Sequence, residues 1–323
     1  MASRLQVNNI IKESGSGDVA FAYGGAIFNG DLTVQNATFD NISSVLSLGQ
    51  YTNATRPANP TQGTIIYNVS VGQVQIWNGD RWVLLDTKGG TLPEVGQVVH
   101  LDATKTSSYS GGASTIWTDL SGNVNNFTAT ANAHQGTAGS KLAYMAFIND
   151  TNGCAKNSGD ISLDNEVTYV VVTRILNSTS TWRTLTRSYN ADHHVIVQSG
   201  AWNIGMYDNN GSGFIDSGAN QNGLSNYISN SWATMIWRFS NTDDPTYEMF
   251  VNGEKVGEIR NSNARYNRGF GSIGAYHDGN TNPNSSSQYW GDIRLFVAYN
   301  RRITNDEIVQ CQYATESQGY LQN

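Results

Sequence analysis

The sequence is poor in charge, in cysteine and in long apolar runs. Charged residues fill 14% of its 323 positions, well under the roughly 25% of ordinary globular domains, and Asn, Ser, Thr, Gly and Gln take their place. Lys and Arg number 19 against 26 Asp and Glu, a net charge of -7. With no basic cluster, the chain lacks the footprint that holds a phosphate backbone, which argues against nucleic acid as a partner. No window approaches the ~18 apolar residues of a membrane span, and the opening MASRLQVNNIIKESGSGD has no apolar signal core. The expectation is synthesis in the cytosol without membrane insertion. Cys154 and Cys311 lie far apart and form no C-x-x-C pair, so the thiols read as buried rather than as zinc or redox ligands. Their pairing stays open.

Helix signals are almost as scarce, with one exception near the end, WGDIRLFVAYNRRITNDEI. Ile293, Leu295, Val297 and Tyr299 alternate with other residues as a strand does. Thr304 and Glu307 then form a capping box, which predicts a helix start. The rest reads as short strands between polar turns, giving an all-β chain in three parts.

Residues 1–50 carry short apolar runs broken by Gly, Asn and Ser, none long enough to make a core alone. Such an arm needs partners to bury its apolar faces. Mutual burial among copies predicts a homo-oligomer, a trimer, formed through residues 1–95. Residues 51–95 hold a small β-meander and a linker: strands at Ile65–Asn68 and Val74–Trp77, a hairpin signal at Asn78-Gly79, and Gly89, Gly90 and Pro93. From residue 96 to 323 about ten strand-like runs recur at the spacing of a two-sheet jelly-roll sandwich.

Two resemblances rest on these residues. The meander, with GTIIYN followed by IWNGDRW, resembles modules of phage tail-fibre and neck proteins. The order LDATKTSSYSGGASTIWTDLSGNVNNFTAT, TYEMFVNGEKVGEI, then GSIGAY and YWGDIRLFVAYNRRITNDEI resembles the concanavalin A-like lectin superfamily in its laminin-G-like form. The resemblance covers residues 96–318 and implies a sandwich whose last strand runs into a short helix plugging one open end with Ile308 and Val309. It also implies turn and core roles for Trp117, Asp119, Ser121 and Asn123, with Asp119 holding local backbone amides.

Relatives on that fold that cut glucans use an E-x-D-x-E run, since hydrolysis needs two carboxylates at a fixed distance. This chain has none: Glu166 opens a strand, Glu248 and Glu254 flank a hairpin, and Glu307 caps the helix. No G-x-S-x-G elbow, P-loop or H-E-x-x-H motif occurs. His193 and His194 are adjacent on a strand and point to opposite faces, one to solvent and one to the interior, so they cannot share a metal. These absences predict that the chain is not an enzyme.

Two stretches carry binding chemistry. In DNNGSGFID, Asp208, Asn210 and Ser212 fall at positions 1, 3 and 5 of a calcium loop, Phe214 offers a carbonyl at 7, and Asp216 sits at 9. Ala219 stands where a bidentate Glu is needed, so a plain hairpin turn is the alternative to weak calcium binding. In YHDGNTNPNSSSQYW, aromatic and amide side chains suit sugar stacking and hydroxyl recognition. The predicted glycan residues are Tyr276, Asp278, Asn280, Asn282 and Trp290, joined by Trp202 and Tyr207, with Trp182 a further candidate, if their loops share one end.

The resulting expectation is a phage virion structural protein, a tail-fibre or capsid-decoration component. It docks on other virion proteins through residues 1–95 and presents a lectin-like domain at the virion surface to a cell-surface polysaccharide. The alternatives are a glycan-cleaving enzyme on the same fold and a decoration protein that binds nothing.

Overall fold

A computed structural model describes residues 48–52, 54–69, 73–77, 79, 82–84, 90–111, 115–129, 133–147, 155–175, 182–188, 192–198, 203–209, 211–219, 231–260, 268–274 and 291–322. The chain divides between Ser47 and Leu48. The predicted N-terminal arm lies almost wholly outside the described residues.

In the unit that begins at Leu48, a small sheet comes first, in the order β1 (Gln50–Tyr51), β2 (Ile65–Asn68), β3 (Gln73–Trp77), β4 (Trp82–Leu84). Strand β1 runs parallel to β2 and the other pairs are antiparallel. Asn68 and Gln75 are buried side by side, and the Asn68 amide donates to Gln75 Oε1 at 2.9 Å. Trp77 and Trp82 close the β3–β4 hairpin edge to face, 5.7 Å apart.

The sandwich holds two sheets of eight strands among the described residues. Its front sheet contains β6 (Ile116–Trp117), β7 (Phe127–Ala129), β10 (Ala155–Ser162), β12 (Arg183–Arg187), β13 (His193–Val197), β14 (Ile204–Asp208), β15 (Gly213–Ala219) and β19 (Gly269–Ile273). They lie in the order β15-β14-β13-β12-β19-β10-β7-β6. The back sheet contains β5 (Gln97–Asp102), β8 (His134–Gln135), β9 (Tyr144–Ala146), β11 (Glu166–Ile175), β16 (Ala233–Ser240), β17 (Tyr247–Val251), β18 (Glu254–Ile259) and β20 (Gly291–Tyr299). Its order is β18-β17-β16-β11-β20-β9-β8, with β5 also on β20. The strands outnumber the sequence-predicted runs because elements as short as Ile116–Trp117 and His134–Gln135 show no period to read.

The alternation in EVTYVVVTRI explains the layering. Val167, Tyr169 and Val171 face the front sheet and join a core with Leu185, Val195, Ile204 and Phe270. Tyr169 lies 5.4 Å from Phe270 across that core and 5.6 Å from Phe296 on the neighbouring strand β20. Val170 and Val172 face the other way, into a second cluster with Ile236, Leu295 and Val297. A strand apolar on both faces needs cover on both.

That cover is helix α1 (Asn305–Ser317), whose Ile308, Cys311 and Ala314 pack in the second cluster. The helix therefore lies on the outer face of the back sheet. It does not plug an open end as expected, because a wide apolar sheet face needs more cover than an end does. Thr304 caps it as the sequence predicts: Glu307 N donates to the Thr304 hydroxyl and Thr304 N donates to Glu307 Oε2. Residues of the predicted linker are docked alongside. Gly90 N donates to Ser317 Oγ, the Gln318 amide donates to Gly90 O, and Leu92 enters the second cluster. A Cβ at Gly90 would meet Ala314 Cα at 2.9 Å, so only glycine allows this approach. Cys311 is a free, buried thiol. Cys154 lies outside the described residues. No helix among the described residues is long and apolar enough to cross a membrane.

Candidate functional site

The outer face of the front sheet carries one cross-strand row. Phe214 stands opposite Tyr207, Tyr207 opposite His193, His193 opposite Arg187, and Arg187 opposite Ser272. Directly opposed residues share a face. Their chain neighbours Ile215, Met206 and Ile273 belong to the sandwich core, which puts the row on the opposite side. Five strands at ~4.8 Å spacing make it roughly 19 Å long.

One end of the row is an aromatic wall. Trp182, just before β12, meets Tyr207 edge to face at 5.7 Å and Phe214 at 5.4 Å. All three rings are half-buried. Gly205 makes room for the wall: a Cβ there would lie 2.0 Å from Ile215 O and 3.1 Å from Phe214 Cε2.

The middle of the row is polar and sequestered. His193 is 5% exposed, Arg187 4% and Ser272 1%, although none of them faces the sandwich core. The His193 Nδ1 hydrogen bonds the Thr184 hydroxyl at 2.8 Å. Burial, then the neighbouring Arg187 charge, then His194, push His193 down to about 3. It is thus a neutral imidazole at physiological pH. Beside it, Asp192 accepts from Asn209 N at 3.0 Å and ties the β14–β15 hairpin to the start of β13. The half-buried rings offer a ligand a stacking surface, while His193 and Thr184 are buried beside it and hydrogen bond each other.

Of the predicted glycan residues, the structure describes Tyr207, which sits in this row. Trp202, Tyr276, Asp278, Asn280, Asn282 and Trp290 lie outside the described residues. Trp182 does meet Tyr207, while the stretch from Tyr276 to Trp290 that both were expected to join lies outside the described residues. Sequence reasoning missed Arg187, Thr184 and His193 as members of a site, since alternation assigns a face but not which residues stand opposite one another. The two histidines do part as expected. His194 turns inward, 2.7 Å from the Tyr169 hydroxyl, while His193 takes the outer face but is buried there rather than solvated.

The predicted calcium ligands are not brought together. Across the β14–β15 ladder Asp208 pairs with Gly213 and Asp216 with Gly205. Asp216 shares the outer face with Phe214, whereas Asp208 follows Tyr207 and takes the other face. Three residue steps, about 10 Å, separate them along the ladder, and a calcium ion takes its ligands at about 2.3–2.6 Å. Asp208 Oδ2 instead accepts from Ser212 N, and Asp216 Oδ1 from Gly218 N. Phe214 lies within the ladder, and Asn210 is outside the described residues. Among the described residues, no group of three or more His, Cys, Asp or Glu could hold a metal ion.

No protein-family model matches the chain, and no curated protein does. Solved structures do align with it. A Trypanosoma rangeli sialidase in complex with 2,3-difluorosialic acid, a covalent intermediate, is 10% identical over 78% of this chain with a TM-score of 0.45. The binding domain of Paraclostridial Mosquitocidal Protein 1 is 17% identical over 68% of it with a TM-score of 0.46, and the botulinum neurotoxin type G receptor binding domain is 13% identical over 68%, also at 0.46. The chain spans 44% of the sialidase, 52% of the mosquitocidal domain and 51% of the neurotoxin domain. The likeness is one of all-β fold. The expectation that the chain is not an enzyme is corrected here, because the aligned structures include sialidases, among them a covalent intermediate and an inhibitor complex.

Proposed function

We propose that the chain recognises cell-surface carbohydrate along the outer face of its front sheet, as an exposed component of a phage particle. The observation that carries the recognition is the Trp182–Tyr207–Phe214 wall, three part-exposed rings in mutual contact on that face. Sugars present apolar ring faces, which such a wall meets by stacking. The virion placement rests on the uncharged polar composition, the arm of residues 1–50 and the resemblance of GTIIYN and IWNGDRW to tail-fibre modules. A single site exchanges water hydrogen bonds for protein ones at little net gain. Display as a trimer on a particle would then raise avidity by roughly 10²–10⁴.

Cleavage of the bound glycan is the second reading. Tyr207 and Asp216 favour it: they are diagonal neighbours on the same face, through the Tyr207–Phe214 and Gly205–Asp216 pairs. The full-length protein applied to a glycan array and to host cells, with Trp182→Ala and Tyr207→Ala as controls, tests both. Binding that falls at least tenfold in the variants supports recognition at this face. Released sugar that disappears in Tyr207→Phe assigns cleavage to it. Binding unchanged in both alanine variants removes the face from the proposal, and light scattering of the same sample reads the trimer directly.

A further inference from the structure

A cavity of mixed polar and apolar lining lies on the opposite side of the sandwich, against the outer face of β5. It measures about 520 Å³ and is walled by the docked segment at Leu92 and Glu94, the turn at Leu120, Lys105, and Tyr320 beyond α1. Its floor is His100 and Asp102. Val99 and Leu101 turn into the core, so the two floor residues turn outward.

The hydrogen bonds around His100 fix its chemistry. Gln97 donates its amide nitrogen to Pro93 O at 2.6 Å, which leaves Gln97 Oε1 facing His100 Nδ1 at 3.2 Å. An amide oxygen only accepts, so Nδ1 carries the proton. In the neutral ring Nε2 then holds a lone pair, and it has no partner among the described residues. Burial keeps the ring below its ordinary pKa and therefore neutral, against the opposing pull of Asp102 and Asp119. Asp102 is already committed: Oδ1 accepts from Thr104 N and its hydroxyl, and Oδ2 accepts from the Tyr320 hydroxyl. The rim offers the opposite case. The Lys105 ammonium and the Glu94 carboxylate are exposed, and neither has an ion-pair partner among the described residues.

We propose that this cavity is a second ligand site, built for an uncharged, polyhydroxylated ligand of monosaccharide size. The volume falls within the ~300–1,000 Å³ of small-molecule sites. The floor supplies an uncharged acceptor, and the rim supplies one partner of each kind a hydroxyl can use: Lys105 to donate and Glu94 to accept. Leu92 and Leu120 give an apolar side for a ring. With Lys105 standing among Glu94 and Asp102, the cavity presents no field of one sign, and its mixed donors and acceptors suit hydroxyls. The site shares no residue with the front-sheet row and does not depend on it.

The test uses full-length protein labelled with ¹⁵N-histidine and titrated with methyl α-D-glucopyranoside, methyl α-D-galactopyranoside and N-acetylglucosamine. The His100 ring is expected to show a protonated Nδ1 and a bare Nε2, and the Nε2 resonance to move saturably with at least one sugar. Lys105→Ala, an exposed change that leaves the fold intact, should weaken that titration several-fold, while Trp182→Ala leaves it unchanged. A protonated Nε2 in the free protein overturns the proposal. So does a His100 shift no larger than that of the core residue His194 with every sugar, or a titration lost in Trp182→Ala and kept in Lys105→Ala.

Discussion

Arg294 lies with its guanidinium carbon 3.8 Å from the centre of the Trp232 ring, and both residues are buried. The same guanidinium donates to the carbonyls of Tyr320 and Gln322, so one side chain fastens the end of the chain to the back sheet. Arg174 approaches the ring of Trp232 as well, at 5.0 Å, and is ion-paired to the buried Asp292. Arg294→Met keeps most of the volume but removes the cation–π contact and both hydrogen bonds. We expect a loss of about 3 kcal/mol, read as a lower melting temperature, with faster amide exchange confined to residues 318–322. Unchanged exchange there would show that other contacts hold the segment.

His193 makes stability depend on pH. It is neutral in the folded protein down to about 3, whereas an unfolded histidine titrates near 6.5. Between those values the unfolded chain binds the extra proton, so stability is full above pH ~6.5 and falls as pH drops toward ~3. The slope from this one group approaches about 1.4 kcal/mol per pH unit. Groups packed around it include Arg187, Thr184, His194 and Tyr207. Urea denaturation of His193→Gln, which retains a partner for Thr184, should give a shallower pH dependence than the wild type across that window. Parallel curves would remove His193 as the source.

Asp119 should be among the costliest single residues to lose. Its carboxylate accepts from the backbone amides of His100, Ser121 and Asn125, at 2.8, 2.9 and 2.9 Å, and from the Ser121 hydroxyl. Asp119→Ala leaves those amides without the acceptor, at about 1–3 kcal/mol for each buried one. A Tm drop of several degrees is expected, and Asp119→Asn should recover part of it because one oxygen remains. Equal damage from both variants would mean that the charge, rather than the acceptor, matters.

Gly205→Ala tests the aromatic wall. The added methyl group meets backbone at Ile215 and the Phe214 ring, and overpacking of this kind costs about 1–3 kcal/mol. Because Phe214 must move, near-ultraviolet dichroism from Trp182 and carbohydrate binding at the front sheet should change together. Lower stability with an unaltered Trp182 signal would separate the glycine from the wall.

How far the sequence reveals this molecule differs between local and non-local features. The Thr304–Glu307 box and the Asp119 turn are legible because all their partners but His100 lie within a few residues. The doubly buried strands are partly legible, since VTYVVVTRI is too apolar for one wet face, yet nothing in it says that the second cover is the terminal helix. The front-sheet row is not legible. It joins Ser272, Arg187, His193, Tyr207 and Phe214 from five strands, and the bulges between Thr184 and Arg187 and between His193 and Ile196 shift the register in ways no periodicity reports. The calcium spacing misleads for a related reason: positions counted along a loop lose their meaning once the second half of the loop is a strand.

The docking of Gly90 along helix α1 sets how the sandwich bears force. Gly90 and Thr91 are gripped by Ser317, Gln318 and Gln310, all on or just beyond one helix. A load arriving along the chain before Gly90 therefore reaches α1 before it reaches β5, and it pulls on several hydrogen bonds and on Leu92 at once. The helix thus ties the incoming segment to the back layer of the sandwich, through bonds that do not involve the front sheet.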